Sequence, residues 1–225
     1  MVLMDSKIVY FFLFEFSQNK LWAFTQMGRN HGLMKNQKGL IFYKFMGSGG
    51  KSGFSLQPDF STYALVSVWE NEEKAESFLN NNELLFKYKE KSKTVRLLTL
   101  KPFQSHGFWS GINPFKINNV ELRKKSKVAI ITRATLNFSK LISFWKSVPD
   151  SSKAISKAKG VYFFKGIGEL PFIQQATISL WDSLEDVLNF AYRSKAHAEI
   201  VKKTRKEKWY KEELFSRFYI EKDQI

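Results

Sequence analysis

The amino-acid sequence predicts an α+β fold: two fused ferredoxin-like repeats, each β-α-β-β-α-β, closing into an α+β barrel. Three observations carry that expectation. First, LIFYKFMGSGG followed by TYALVSVWENEEKAESFL resembles VYFFKGIGELPF followed by QQATISLWDSLEDVLNFA. Second, each stretch extends outward into a strand and helix before it and a strand after it. Third, the chain has 225 residues, is 44% apolar and holds 22 Phe, enough to bury a sizeable core.

In the first copy, strand KIVYFFLF (7–14) leads to a helical stretch from Ser17 to about Arg29. An aromatic strand then runs into Gly47-x-Gly49, and a second strand ends at Trp69. An acidic helix start at Asn71 leads to Phe78, and TVRLLTL (94–100) closes the copy. In the second copy, strand KVAIITRATL (127–136) precedes the helix NFSKLISFWKSV, which has an Asn/Ser cap and is expected to stop before Pro149. Gly166-x-Gly168, Trp181, an acidic start at Asp182 and Phe190 then repeat the pattern, and SRFYIE (216–221) closes it. The expected division is residues 1–104, a linker 105–125, and residues 126–225 carrying the candidate site. The Gly-to-Trp spacing is 22 residues in the first copy and 15 in the second, so the first has a longer loop rich in Gly and Ser. A wide cavity can remain between such a sheet and its own helices, and a planar ligand would fit there.

Composition excludes several classes. The chain has no cysteine, so there are no disulfides, thiolate ligands or Cys nucleophile. No segment approaches the roughly 20 apolar residues that span a bilayer. The expected location is cytoplasmic, with peripheral membrane contact as a further expectation. The net charge of +15 favours acidic partners. No nucleic-acid motif accompanies it, so nucleic acid is not an expected partner. Neither glycine pair has the third glycine or the following helix of a dinucleotide site; a bulge or close backbone approach is the expected role.

Three histidines, His31, His106 and His197, form no metal-ligand spacing. A histidine site must therefore use a single one, which suits haem, whose porphyrin supplies four ligands. Leu184, Val187, Leu188 and Ala191 make one helical stripe. The phase shifts near Tyr192-Arg193-Ser194, and His197, Ile200, Val201 and Thr204 make a second stripe. From periodicity, His197 is either a core histidine bonded to backbone or a ligand. His31 reads as a helix-end residue and His106 as a pocket edge. Arg133 shares a strand face with Ile131 and Thr135, and a buried arginine there needs an anion: Glu169, a propionate or a substrate carboxylate.

TRATLNFSKLISFWKSVPD, FFKGIGELPFIQQATISLW and FAYRSKAHAEIVKKTRKEKWYKEELFSRF, with FWSGINPF, closely resemble the spheroidene monooxygenase family of carotenoid oxygenases. The resemblance covers the second half and, more loosely, the first. It implies a haem b (iron) enzyme that introduces keto groups into acyclic carotenoids. It also implies kinship with dimeric α+β barrel proteins such as chlorite dismutases, dye-decolourising peroxidases and aldoxime dehydratases, and hence a homodimer. In those haem relatives the axial histidine lies on a helix late in the second half, which makes His197 the expected metal ligand. Arg133, Glu169 and Gln174 are then the expected catalytic residues, beside Gln175. Trp145, Phe164, Trp181 and Val201, with Phe163, are the expected walls for cofactor or apolar substrate. Basic residues near the mouth would pair propionates or rest on an anionic membrane. Two other readings stay open: a peroxidase or dehydratase on the same scaffold, and a haem-free binding module or cofactorless monooxygenase.

Overall fold

Eight strands bury one face against each other and the other under helices, and the first of them begins IVYFFLF, an unbroken apolar run buried on both faces. In the computed structural model the described residues are 7–50, 55, 57–118, 123, 126–193 and 195–225; of 195–198 only the helical backbone is described. The first half comprises β1 (Ile8–Glu15), α1 (Lys20–Arg29), α2 (His31–Lys35), β2 (Leu40–Gly49), β3 (Pro58–Trp69), α3 (Glu72–Asn81), α4 (Glu83–Lys91) and β4 (Thr94–Gly107). The second comprises β5 (Val128–Leu136), α5 (Leu141–Ser156), β6 (Val161–Leu170), β7 (Gln174–Trp181), α6 (Leu184–Arg193), α7 (Lys195–Glu207) and β8 (Tyr210–Gln224). The strands close into a barrel in the order β1-β3-β2-β6-β7-β5-β8-β4. Two ferredoxin-like repeats thus form one α+β barrel.

The two halves match residue for residue. Trp69 pairs with Ile8 and Leu40; Trp181 pairs with Val128 and Val161. The register slips at the same two points in both copies, between Leu40 and Phe42 and after Gly47 in the first, and between Val161 and Phe163 and after Gly168 in the second. Even the tryptophan contacts repeat: Trp69 Nε1 donates to Ser67 Oγ at 3.0 Å, and Trp181 Nε1 to Ser179 Oγ at 2.9 Å. The two Gly-x-Gly motifs meet at the seam, where Gly47 pairs with Gly168. A Cβ on Gly168 would lie 2.5 Å from the Gln174 carbonyl oxygen, so only glycine allows that approach.

The barrel interior is packed. Phe11, Met46, Ile131, Ile178 and Phe218 fill it, each burial worth about 1.5–3 kcal/mol. The segment FWSGINPF plugs one end: Trp109 and Phe115 are fully buried in the barrel core. Tight turning through Ser110 and Gly111, both at positive φ, makes the plug possible.

Local structure departs from expectation at α5, at β4 and at β8, the last running Tyr210–Gln224 rather than 216–221. Helix α5 does not stop before Pro149 but runs through it to Ser156. Pro149 is exposed, and beyond it Ile155 still packs under the second helix layer, which holds the helix together. Strand β4 extends to Gly107, pairing with β8 well past Leu100.

Candidate functional site

Matching the halves exposes their one large difference, on the sheet face that carries helices. In the first half, a row across the strands reads Phe45, Leu65, Phe12, Leu97. All four are buried, Phe12 completely. In the second half the same row reads Gly166, Thr177, Thr132, Phe215, and ends at His106 on β4. Two Phe and one Leu are replaced by Gly and Thr. The neighbouring row changes likewise, from Tyr63 and Phe14 to Gln175 and Ala134. Thr132 is exposed although it sits in the middle of a strand bonded on both sides. A helix layer that is solid in one half is thus hollowed into a groove in the other.

Helices α6 and α7 frame this groove. Helix α6 leaves the sheet after Trp181 and is anchored by Val187 and by Phe190, whose ring lies 5.3 Å from that of Trp181. Helix α7 returns to the sheet at Trp209, which packs with Leu136 at the other end of β5. The pair therefore spans the length of the outer face, and Thr132 lies midway between Val128 and Leu136. His197 lies in the first turn of α7, in the middle of the span; its side chain lies outside the described residues. Lys203 Nζ donates to Ser147 Oγ at 2.8 Å and ties α7 to α5.

One edge of the groove carries a cation. Arg217, in the row beside Thr132, donates from Nη1 to Gln104 Oε1 at 2.7 Å and lies 5.2 Å from the Phe215 ring. Its Nε is buried without a hydrogen-bond partner, as is Thr177 Oγ1. Gln104 Nε2 lies 3.1 Å from His106 Nε2, and His106 is exposed at the groove's end.

The residues expected to be catalytic lie on the opposite side of the sheet. Arg133, Glu169 and Gln174 share the inward strand face with Ile131, Ile167 and Ala176. Arg133 is buried at 3% exposure and donates through Nη1 to Glu212 Oε1. Its Nη2 is 3.6 Å from Glu169 Oε1. Lys44 Nζ lies 2.5 Å from Glu169 Oε2, and Trp109 Nε1 donates to Glu169 Oε1 at 2.6 Å. Burial raises the cost of ionising Glu212. The backbone N–H groups of Gly111 and Ser110, with Arg133, outweigh it and hold the carboxyl below the usual glutamate range. This network ties the FWSGINPF plug to the barrel wall. Among the anions expected for Arg133, Glu169 is present; Glu212 is a partner that sequence reading missed.

The expected walls are dispersed. Trp181 is buried beneath α6, and Phe164 stands on the outer face of β6 next to Ser179. Trp145 on α5 donates from Nε1 to the Phe172 carbonyl at 3.1 Å, away from Trp181. Val201 is 36% exposed. His31 opens α2, its Nδ1 3.1 Å from the Tyr43 hydroxyl. Among the described residues no cluster of three His, Asp or Glu could hold a metal ion through protein ligands alone. Thr132, Thr177, Phe215 and Arg217 were not foreseen; the signal was available in comparing the repeats position by position.

No family model matches the chain. The spheroidene monooxygenase of Cereibacter sphaeroides is 32% identical to it over 221 residues, covering 96% of this chain and 67% of that protein. The chain belongs to the spheroidene monooxygenase family. A second member, from Rhodobacter capsulatus, is 29% identical over 208 residues, covering 92% of this chain and 86% of its own length. Among solved structures, an aldoxime dehydratase superposes with a TM-score of 0.60 at 11% identity, covering 96% of this chain and 80% of that one. That likeness is one of fold. Against the spheroidene monooxygenase relatives, this chain aligns through both halves, so the barrel and the groove lie within the shared region.

Proposed function

We propose that this protein is a haem-dependent monooxygenase acting on a carotenoid, in which the groove of the second half would hold the haem and His197 would bind its iron. The observation that carries the proposal is the replacement of Phe45–Leu65–Phe12 by Gly166–Thr177–Thr132 in two halves that otherwise match. The substitution removes the side chains that fill the first helix layer, and a planar group laid on the sheet fits the space they leave. The names of the relatives support the reaction class and the substrate. A neutral imidazole on α7 would be the protein's ligand to the iron. Haem bound there would supply redox-active iron for oxygen chemistry.

The chain's own residues do the rest. Arg217, with no carboxylate within ion-pair distance among the described residues, would pair with the cofactor's carboxylates at the groove edge. Thr177 Oγ1, buried without a partner, offers one hydrogen bond to a bound molecule. Phe164 and Phe215 flank the groove with apolar rings, and Trp181 closes its far end. At the other end His106 accepts from Gln104 Nε2 through its own Nε2 and is open to solvent. The net change inserts one oxygen atom into a substrate C–H bond; the second leaves as water, using two electrons from an external reductant and two protons. Among the described residues no helix is long and apolar enough to cross a membrane. Phe138 and Ile142, exposed at 79% and 75% beside Lys140 and Lys146, suit peripheral contact with a membrane that holds the substrate.

The test is turnover. Protein reconstituted with haemin is given spheroidene, dioxygen and an enzymatic electron donor, and products are weighed by mass spectrometry. An oxygenated carotenoid above the yield of free haemin, lost in Thr132→Phe, is the expected result. A yield no greater than free haemin's would overturn the proposal.

A further inference from the structure

Strand β7 turns two neighbouring glutamines to opposite faces of the sheet. Gln174 shares the inward face with Ala176, so Gln175 shares the groove face with Thr177. Across the sheet Gln175 pairs with Gly168 on β6 and with Ala134 on β5. The first half has Gly47, Tyr63 and Phe14 in the same row. There Tyr63 is 4% exposed and Phe14 1%, and the Tyr63 ring meets that of Phe16 at 5.9 Å. A piece of solid core in one half has become, in the other, an amide between two of the smallest residues.

Those neighbours leave the amide uncovered and unbonded. Neither Gly168 nor Ala134 carries a polar side chain, and neither is large enough to shield Gln175 from the groove. The Gln175 side chain is half-buried and has no hydrogen-bond partner among the described residues. Its Nε2 leans over the glycine, 3.5 Å from where a Cβ on Gly168 would stand. A half-buried amide without a partner costs free energy that a bound molecule would recover. Thr177, whose Oγ1 is also buried without a partner, is two residues along the same face, about 6.6 Å away at the usual strand rise. A small molecule on the sheet here would meet an N–H donor on one side and a hydroxyl on the other.

The competing polar groups are occupied or misplaced. Gln104 Oε1 accepts from Arg217 and its Nε2 lies against His106. Arg133 and Gln174 lie on the barrel side of the sheet. Helix α7, with His197 in its first turn, frames the groove from outside. A planar group held from α7 would turn its other face to the strands, where Gln175 and Thr177 stand.

We propose that Gln175 donates a hydrogen bond from Nε2 to the oxidant on the sheet side of the groove and is a catalytic residue of the proposed reaction. An amide suits that task because it donates without carrying a charge and holds no acidic proton. It orients and polarises the oxidant; it does not protonate it. The inference rests on the proposed cofactor and names the group that faces it from the sheet.

The experiment uses the full chain reconstituted with haemin, parent beside Gln175→Leu, which keeps the approximate volume and removes the donor. The probes are cyanide on the ferric protein, followed by absorption, and carbon monoxide on the reduced protein, followed by infrared spectroscopy. The expected result is an unchanged Soret band without probe, cyanide bound about tenfold more weakly, and a C–O stretch moved to higher frequency, because a donated hydrogen bond lowers it. If Gln175→Leu fails to fold, as judged by circular dichroism, Gln175→Glu decides: it keeps the shape and loses the Nε2 donor. A variant that matches the parent with both probes, both proteins showing a Soret band, overturns the inference alone. So does a shift in Thr177→Val with none in Gln175→Leu, which gives the donor's role to the threonine. A parent without a Soret band overturns the cofactor reading, and this inference falls with it.

Discussion

Replacing Thr132 by Phe restores to the second half the residue that the first half has at Phe12. Phe12 is completely buried between sheet and helices, whereas Thr132 is exposed in the matching place. A Phe side chain buries roughly 150–250 Å², worth about 2 kcal/mol more than the threonine methyl at ~25 cal/mol per Å². The groove is open along one side, so about 1–2 kcal/mol is the reasonable gain. For a chain of this length that raises Tm by about 2–8 °C. Most substitutions destabilise, so a gain is a discriminating outcome, as expected where a ligand site has been kept hollow. The assay is a thermal melt of the haem-free parent and variant, followed by haemin titration of both. Thr132→Phe should melt higher and bind haemin at least about a hundredfold more weakly, since the ring takes the cofactor's place. A variant that melts lower than the parent and binds haemin equally well would refute the existence of the groove.

Other substitutions test the rest. Arg133→Met leaves Glu212 and Glu169 facing each other in the barrel with Lys44 as the remaining cation. It should cost about 3–5 kcal/mol, read as a lower urea midpoint, and should leave the haemin Soret position unchanged because Arg133 is on the other face. Trp109→Ala removes the barrel plug and its bond to Glu169 and should cost about 3–5 kcal/mol by the same measurement. Arg217→Met should speed haemin loss to apomyoglobin several-fold without moving the Soret maximum, because it removes a partner of the cofactor's edge and not of its iron. Burial works against the Asp59 carboxylate, but hydrogen bonds from Ser61, Thr62 and Lys165 outweigh it and hold its pKa down to about 2, from 3.8. Its folded value lies below its unfolded one, so its contribution is present above 3.8 and is lost as pH falls toward 2. After discounting for solvent screening it is of order 1 kcal/mol. The stability gap between parent and Asp59→Asn should therefore be full near neutrality and narrow as pH falls through that window.

Much of the fold was legible because the repeat is written in bulky residues. The Trp landmarks of the two copies land at matching register positions, while the Gly-x-Gly motifs are offset by two, Gly47 matching Gly168 and Phe45 matching Gly166. Pro149 misled because an exposed proline in a helix packed on both sides of it costs less than ending the helix. Arg133 was rightly expected to need an anion. Glu212 was not foreseen, because that pairing depends on the β5–β8 register, which no local pattern encodes. The groove itself leaves no motif. It is an absence of large side chains, and it shows only when Thr132 is set beside Phe12 and Thr177 beside Leu65. Reading Arg133 by its strand face found its burial, but not which side of the sheet was the inner one.

The measurement that tests the central claim most directly is the visible absorption spectrum of the protein titrated with haemin, beside His197→Ala and Thr132→Phe. A saturating Soret band with a ferrous–CO shift in the parent, altered in His197→Ala and absent in Thr132→Phe, is the predicted result. A parent that binds haemin no better than an unrelated basic protein, or a His197→Ala spectrum identical to the parent's, would contradict it.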